Sequence, residues 1–370
     1  MLSNLIKVFF GRGEAAEDAL LEQAHRHEQA GETDAALRIY EQLLAMQPLH
    51  IEALLFLANA TFAAKQYEAA LRHTQRLHEL DPQSADFIAR CAACAYALGN
   101  SDQAKAMGLQ ALALRPEIYD VHWMLSQIDM PGQGYRDVLK RVHQTLRPRT
   151  YVEIGVFQGH TLVLAEPDTR SIGVDPAPQI KVDLPPLARV HAETSDGFFA
   201  RHDVREELGG LPVDLAFIDG MHRFEFALRD FMHIEALATP ESVILVHDCY
   251  PLNEATATRD QLTTFWSGDV WRLIVLLKEH RPDLTVRTIA ASPTGLGIIT
   301  GLDPQSTYIA EHLDSMTAQG LALDYGALDE DKPGHLNRCA NDWEEIAALL
   351  PMSRPGSAAR TKAPGLGSRS

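Results

Sequence analysis

Small and apolar positions in the first third of the chain recur every 34 residues. The columns are Ala24, Ala58, Ala92; Gly31, Lys65, Gly99; Ala36, Ala70, Ala104; and Pro48, Pro82, Pro116. Four columns repeated over three copies mark an internal repeat. They predict one helix pair per unit, in residues 17–50, 51–84 and 85–118. The alanine columns let the paired helices approach closely, the glycine column suits the turn between them, and proline ends the second helix. From residue 151 the pattern changes to short runs rich in Val and Ile, at 151–156, 171–174, 189–192, 213–218 and 243–246. Helix-length segments separate most of these runs, which predicts a parallel sheet with crossover helices. Two later runs, 285–289 and 297–300, flank Ser292-Pro293-Thr294-Gly295 and predict a closing hairpin.

The helix-pair array resembles the tetratricopeptide repeat, with Leu20, Leu54 and Ile88 where that repeat carries a large aromatic. A further amphipathic helix at 117–128 is expected to cap the open end of the stack. Residues 130–134 (Met-Pro-Gly-Gln-Gly) then read as a break, and 135–146 as a helix entering the second domain. The expected layout is an N-terminal segment at 1–16, the repeats and cap at 17–130, an α/β domain with its extension at 135–350, and a Ser/Gly/Pro/Ala-rich disordered tail at 351–370. The array reads equally as a docking surface for a partner or polymer and as a structural or dimerisation element.

Composition narrows the classes. The chain has 370 residues, 46% hydrophobic and 22% charged, as in an ordinary folded protein of about two domains. No apolar run approaches the ~20 residues of a membrane-spanning helix, and Lys7 interrupts the apolar N-terminus, against a signal peptide. The formal net charge is −17, although the tail contributes Arg354, Arg360, Lys362 and Arg369 without an acid. Such a surface repels phosphate backbones, so nucleic acid is excluded as the expected partner. Four cysteines without a disulfide framework point to a reducing, cytoplasmic setting. Cys91 and Cys94 fall inside a repeat helix and read as small core residues.

The chemistry concentrates where strands end. The first run leads into Glu153-Ile-Gly155-Val-Phe-Gln-Gly159-His-Thr161, where glycines allow close approach of the backbone to a ligand and the next helix is expected to present its N-terminus. Asp175 closes the second run, where a carboxylate can accept both hydroxyls of a ribose. Ser195 and Asp196 follow the third run, beside the place of an adenine. The fourth run leads into Asp219-Gly-Met-His222-Arg-Phe-Glu225, and the fifth into His247-Asp248-Cys-Tyr-Pro251.

With these motifs, residues 151–303 resemble a class I S-adenosylmethionine-dependent methyltransferase, more narrowly the sugar and small-molecule O-methyltransferases with an Ile-Asp-Gly-x-His segment. The resemblance implies an α-helical repeat solenoid followed by a Rossmann-like, seven-stranded α/β domain. It implies that Glu153, Gly155 and Gly159 line the methionine part of S-adenosyl-L-methionine, that Asp175 holds the ribose, and that Ser195 and Asp196 flank the adenine. It also makes Asp219 and Asp248 ligands of a divalent metal, with Mg²⁺ expected. Carboxylates at neighbouring strand ends suit a hard cation. His247 stands where relatives have a second aspartate; as a ligand it favours Mn²⁺ or another softer ion, and otherwise it hydrogen-bonds a neighbouring loop.

His222 is the leading candidate for the base that deprotonates an acceptor hydroxyl, with an ordinary histidine pKa of ~6.5 in mind. Met221 stands where some relatives have an acid. Asp230 reads as a structural hydrogen-bond acceptor on its helix and Glu225 as a solvated helix residue, Trp266 and Trp271 as a lid or as packing, and Arg259 as a contact for an anionic acceptor. The expected acceptor is a small molecule or glycan. The alternatives are a metal-independent N- or O-methyltransferase and a repeat scaffold with a degenerate cofactor fold.

Overall fold

The computed structural model describes residues 2–351, with side chains from residue 16 onward; the tail at 352–370 lies outside the described residues. The chain divides into two units, Met1–Ile128 and Asp129–Ser370. Among the described residues no helix is long and apolar enough to cross a membrane. All four cysteines are free thiols, and Cys91 and Cys94 are buried.

The first unit is helical: α1 (Leu2–Gln29), α2 (Thr33–Met46), α3 (Ile51–Ala63), α4 (Tyr67–Leu80), α5 (Ala85–Ala97), α6 (Ser101–Leu114) and α7 (Tyr119–Asp129). The alanine columns are buried throughout. The turn column is left-handed in every repeat, with φ of +72° at Gly31, +60° at Lys65 and +80° at Gly99. The next amide then closes the helix end in each copy, from Glu32 to the His27 carbonyl, Gln66 to Thr61 and Asn100 to Ala95. Lys65 therefore holds a geometry that glycine adopts without a Cβ penalty. Lys65→Gly is expected to raise the stability of the repeats by about 0.5–1 kcal/mol, read as a higher urea midpoint of their unfolding transition. Helix α7 closes on α6, where Val121, Met124 and Leu125 meet Gly108.

The second unit is α/β. Its elements are α8 (Tyr135–Leu146), β1 (Thr150–Ile154), β2 (Arg170–Val174), β3 (Ala188–His191), α9 (Ser195–Arg201), α10 (Val204–Glu207), β4 (Leu215–Ile218), α11 (Phe224–Glu235) and β5 (Val243–His247). There follow α12 (Trp271–His280), β6 (Thr285–Ile289), β7 (Leu296–Thr300), α13 (Tyr308–Ala322), α14 (Tyr325–Glu330), α15 (Lys332–His335), β8 (Arg338–Cys339) and α16 (Trp343–Leu349). One sheet runs in the order β3-β2-β1-β4-β5-β7-β6-β8. The strands from β3 to β5 are parallel, and β7 is antiparallel to both β5 and β6.

Two expectations need correction. The sheet has eight strands instead of seven, because Arg338 and Cys339 pair with Thr288 and Ile289 of β6. Two residues are too few to leave a periodic signal. The glycine-rich turn after β1 runs into a single 3₁₀ turn, Leu162–Leu164, and not into a helix. Gly159 and Pro167 bracket too short a stretch for one.

Alternation along the strands sorts the core into two faces. Val152, Ile154, Ala216, Ile218, Ile244 and Val246 pack with Phe224, Leu228 and Phe231 of α11 and Leu273 and Leu277 of α12. Their neighbours Tyr151, Leu215, Phe217 and Leu245 face the other way, with Val138, Leu139 and Val142 of α8. Helices therefore cover both faces, which leaves the carboxyl edge of the parallel strands as the place where polar side chains converge.

Candidate active site

Three adjacent parallel strands, β1, β4 and β5, deliver Gly155, Asp219 and Asp248 to that edge. Between β1 and β4 the strand order reverses, so the crevice opens there. Gly155 has φ of +89°, and a Cβ on it would lie 1.9 Å from the Asp219 carbonyl oxygen. Only glycine lets the two strand ends come this close. The Asp219 amide donates to the Ile154 carbonyl at 2.8 Å, which fixes the aspartate against the glycine turn.

His222 and Asp248 are both left-handed, with φ of +56° and +61°. Such conformations are costly for residues with a Cβ and cluster at functional sites. Here they turn two side chains toward Asp219. His247 Nδ1 lies 3.2 Å from Asp219 Oδ1 and 3.4 Å from Asp248 Oδ2. His222 Nδ1 lies 3.0 Å from Asp248 Oδ2 and its Nε2 lies 3.5 Å from Asp219 Oδ1. One ligand atom each from Asp219, His247 and Asp248 fall within 4.8 Å of one another, a spacing that suits a metal ion. Thr294 donates its hydroxyl to Asp248 Oδ1 at 2.6 Å, whereas Oδ2 has no aligned hydrogen-bond donor despite its burial. An acceptor atom left over in this position fits a cation.

Electrostatics inside the cluster run against burial. Burial alone would raise the two carboxyls and lower the two imidazoles. The facing charges win: Asp219 is held at about 2, chiefly by His247 and His222, and Asp248 falls below the carboxylate range for the same reason. His222 is raised to about 10 by Asp248 and Asp219 against its own desolvation, and His247 is raised well above its ordinary value. The expected ~6.5 for His222 is therefore corrected. The charges of the two facing carboxylates favour its protonated form, and Trp266 stacks on its ring with centroids 5.2 Å apart.

The cofactor positions are placed as follows. Glu153 is fully buried; its oxygens accept from the Tyr151 hydroxyl at 2.6 Å and the Thr161 hydroxyl at 2.7 Å. Gly159 sits further along the same turn with φ of +82°. Asp175 Oδ2 accepts from the amides of Val156 and Phe157, at 3.1 and 2.8 Å, so it braces the glycine turn from β2. Ser195 opens α9, and Asp196 is bound in a two-pronged pair by Arg229 at 2.8 Å.

Several neighbours were undervalued in sequence. Asp230 lines the same pocket as Asp219, His222, His247 and Asp248. It is buried, which pushes its carboxyl up to about 7. Its spacing on α11 gave only a helical position. Thr294, next to a proline in a turn, carried no signal either. Arg259 is not free for an anionic acceptor, because it grips Glu225 at 2.6 and 2.9 Å and Asp269 at 2.9 Å. Trp271 is core packing.

Burial raises the Glu153 carboxyl to about 8, despite the hydrogen bonds from Tyr151 and Thr161 that favour its ionised form. Between the unfolded value of ~4.3 and about 8, the unfolded chain gives up this proton and the folded one keeps it, so stability falls as pH rises through that window. Asp230 acts in the same direction. Glu153→Gln is expected to lessen this decline, so that its stability relative to the parent increases from pH 5 to pH 8.5. Denaturant unfolding at the two pH values checks the sign.

A carboxyl-edge crevice in a doubly wound sheet, with a glycine turn on one side and an Asp/His cluster on the other, is the arrangement of an α/β domain in which polar side chains converge at the strand ends. Residues 152–249 match the model of a methyltransferase domain. Residues 21–85 and 61–123 match two tetratricopeptide-repeat models. The chain thus joins tetratricopeptide repeats to a methyltransferase domain. No curated protein sequence matches it. Among solved structures, the crystal structure of MamA protein is 20% identical over 30% of this chain, with a TM-score of 0.29; the match spans 61% of that structure's length. The first tetratricopeptide domain of Spaghetti (RPAP3), bound to the HSP90 peptide SRMEEVD, is 21% identical over 30% of this chain and 89% of its own, with a TM-score of 0.28.

Proposed function

We propose that the second unit is a class I methyltransferase that moves the methyl group of S-adenosyl-L-methionine to a hydroxyl of a sugar or glycosylated metabolite, assisted by a divalent metal held by Asp219, His247 and Asp248. The observation that carries this reading is the convergence of those three ligand atoms within 4.8 Å, beside the glycine turn of β1. Gly155 and Gly159 shape the turn against which the methionine part of the cofactor lies, Asp175 faces the ribose, and Ser195 and Asp196 flank the adenine. Glu153 acts as a positioning residue, since it ties β1 to Thr161 of the turn.

An alcohol is barely ionised at neutral pH, so the acceptor oxygen is the obstacle to transfer, and the sulfonium already contains a good leaving group. The metal, Mg²⁺ or Mn²⁺, supplies the positive charge that stabilises the acceptor oxygen as it loses its proton. Asp219 and Asp248 orient the acceptor hydroxyl toward the methyl group, and alignment of oxygen, methyl and sulfur contributes much of the remaining acceleration. His222, stacked on Trp266, would take the acceptor proton in its neutral form, which a cation held by Asp219 and Asp248 favours by offsetting their charge. The repeats present a polymeric acceptor or dock a protein partner, in a reducing, cytoplasmic compartment.

A second reading is favoured by the charge balance of the cluster, in which two raised imidazoles already offset two carboxylates. In that case Asp219 orients the acceptor without a metal. Turnover of labelled donor in chelator separates the two. The metal-assisted reading predicts loss of at least about 100-fold of the rate, restored by Mg²⁺ or Mn²⁺. Full activity in chelator would establish the metal-independent one.

A further inference from the structure

A second group of ligating side chains lies at the end of β3, outside the crevice that methyl transfer uses. His191 is the last residue of β3, Glu193 follows in the loop, His202 ends α9 and Glu207 ends α10. Each imidazole is addressed by a carboxylate on both sides. Glu207 takes one nitrogen of each ring, with Oε2 at 3.0 Å from His191 Nε2 and Oε1 at 2.8 Å from His202 Nδ1. Glu193 Oε1 faces the other two, 2.9 Å from His202 Nε2 and 3.9 Å from His191 Nδ1. Its second oxygen is taken by Arg201.

This arrangement fixes where the lone pairs point. A carboxylate is an acceptor only, so both nitrogens facing Glu207 carry hydrogen. In neutral rings the lone pairs then sit on His191 Nδ1 and His202 Nε2, both directed toward Glu193. Three acceptors then converge there, and they repel unless protons or a metal cation lie among them. Ligand atoms of His191, Glu193 and His202 lie within 4.8 Å of one another. The separations of 2.9 and 3.9 Å bracket the edge of roughly 3.3 Å expected for a tetrahedron with metal–ligand bonds near 2.0–2.2 Å.

The rings are also held in place. Their centroids are 4.7 Å apart at 73°, and both pack on the buried Phe198 at 4.8 Å. The cluster's side chains are 17–28% exposed, which leaves a path for an ion and a water.

We propose that His191, Glu193 and His202 form a Zn²⁺ site with water as the fourth ligand, and that Glu207 orients both imidazoles from behind. Two imidazoles and one carboxylate with one open position are a zinc donor set, and a carboxylate behind each metal-bound imidazole is the usual outer support. Bound there, the ion ties β3 to α9 and, through Glu207, to α10, and sets the first turn of α9, which carries Ser195 and Asp196. This site is independent of the methyl-transfer reading.

The test uses the full chain, stripped of metal, and a background variant, Asp219→Asn with Asp248→Asn, that removes the other cluster. Zn²⁺ is titrated by calorimetry and Co²⁺ by visible absorption. The expected result is one equivalent of Zn²⁺ in the background variant, with intense tetrahedral Co²⁺ bands. His191→Gln and His202→Gln should each weaken binding at least about 100-fold, and Glu207→Gln about 10- to 100-fold. Absence of a bound equivalent in the background variant would overturn the site, and so would binding unaffected by the histidine substitutions. The titration of the background variant decides the matter even if a histidine variant fails to fold.

Discussion

Asp248→Asn is expected to lower methyl transfer by about 100- to 1,000-fold while leaving the affinity for S-adenosylhomocysteine nearly unchanged. Asparagine tolerates the left-handed backbone at φ of +61°, and its amide oxygen still accepts from Thr294. What disappears is the negative charge opposite His222 and His247. In the proposed mechanism that charge holds the metal, and loss of metal assistance is worth several kcal/mol of transition-state stabilisation, with ~1.4 kcal/mol per tenfold in rate. The imidazoles can shed protons, so the loss of stability is smaller than for an ordinary buried pair. Labelled-donor assays beside calorimetry with S-adenosylhomocysteine separate the rate from cofactor binding. A fall in cofactor affinity as large as the fall in rate would place Asp248 in the cofactor site.

Gly155→Ala is expected to cost about 2–5 kcal/mol of stability. Two costs add. A residue with a Cβ at φ of +89° is strained by ~1–2 kcal/mol or more. The new carbon would also lie 1.9 Å from the Asp219 carbonyl oxygen, so backbone must move, at a further ~1–3 kcal/mol. The displaced backbone is that of Asp219 itself, so activity should fall beyond what the unfolded fraction explains. Denaturant unfolding of the second unit measures the first effect. An unfolding midpoint equal to that of the parent would mean that the strand ends are not in contact.

The repeat array was legible because its signal is redundant. Each column recurs three times, and the helices α3 and α5 begin at Ile51 and Ala85, where the repeat units begin. The strands β1, β2, β4 and β5 were legible because buried parallel strands read as continuous Val/Ile runs. Their carboxyl-edge residues followed from them, so Asp219, His247 and Asp248 were found together, and the structure brings them together. β8 escaped because two residues carry no period. The absent helix after β1 escaped because a glycine turn commonly precedes one, and here only seven residues separate Gly159 from Pro167.

The protonation of His222 could not be read from its own neighbours in sequence. It depends on Asp248, 26 positions away, and on two left-handed backbones that no pattern reports. Asp230 and Thr294 entered the site for the same reason, through burial and crossover geometry. The ring of His191, Glu193, His202 and Glu207 is likewise assembled from the ends of three short elements.

Methyl transfer as proposed requires a cation and an adenosyl cofactor to share the crevice between β1, β4 and β5. The most direct test is nuclear magnetic resonance of ¹³C-methyl-labelled S-adenosyl-L-methionine bound to the full chain, with Mn²⁺ added. Strong paramagnetic broadening of the methyl signal, abolished by Asp219→Asn with Asp248→Asn and unchanged by His191→Gln, is the predicted result. A bound cofactor whose methyl signal stays sharp at saturating Mn²⁺ would contradict it.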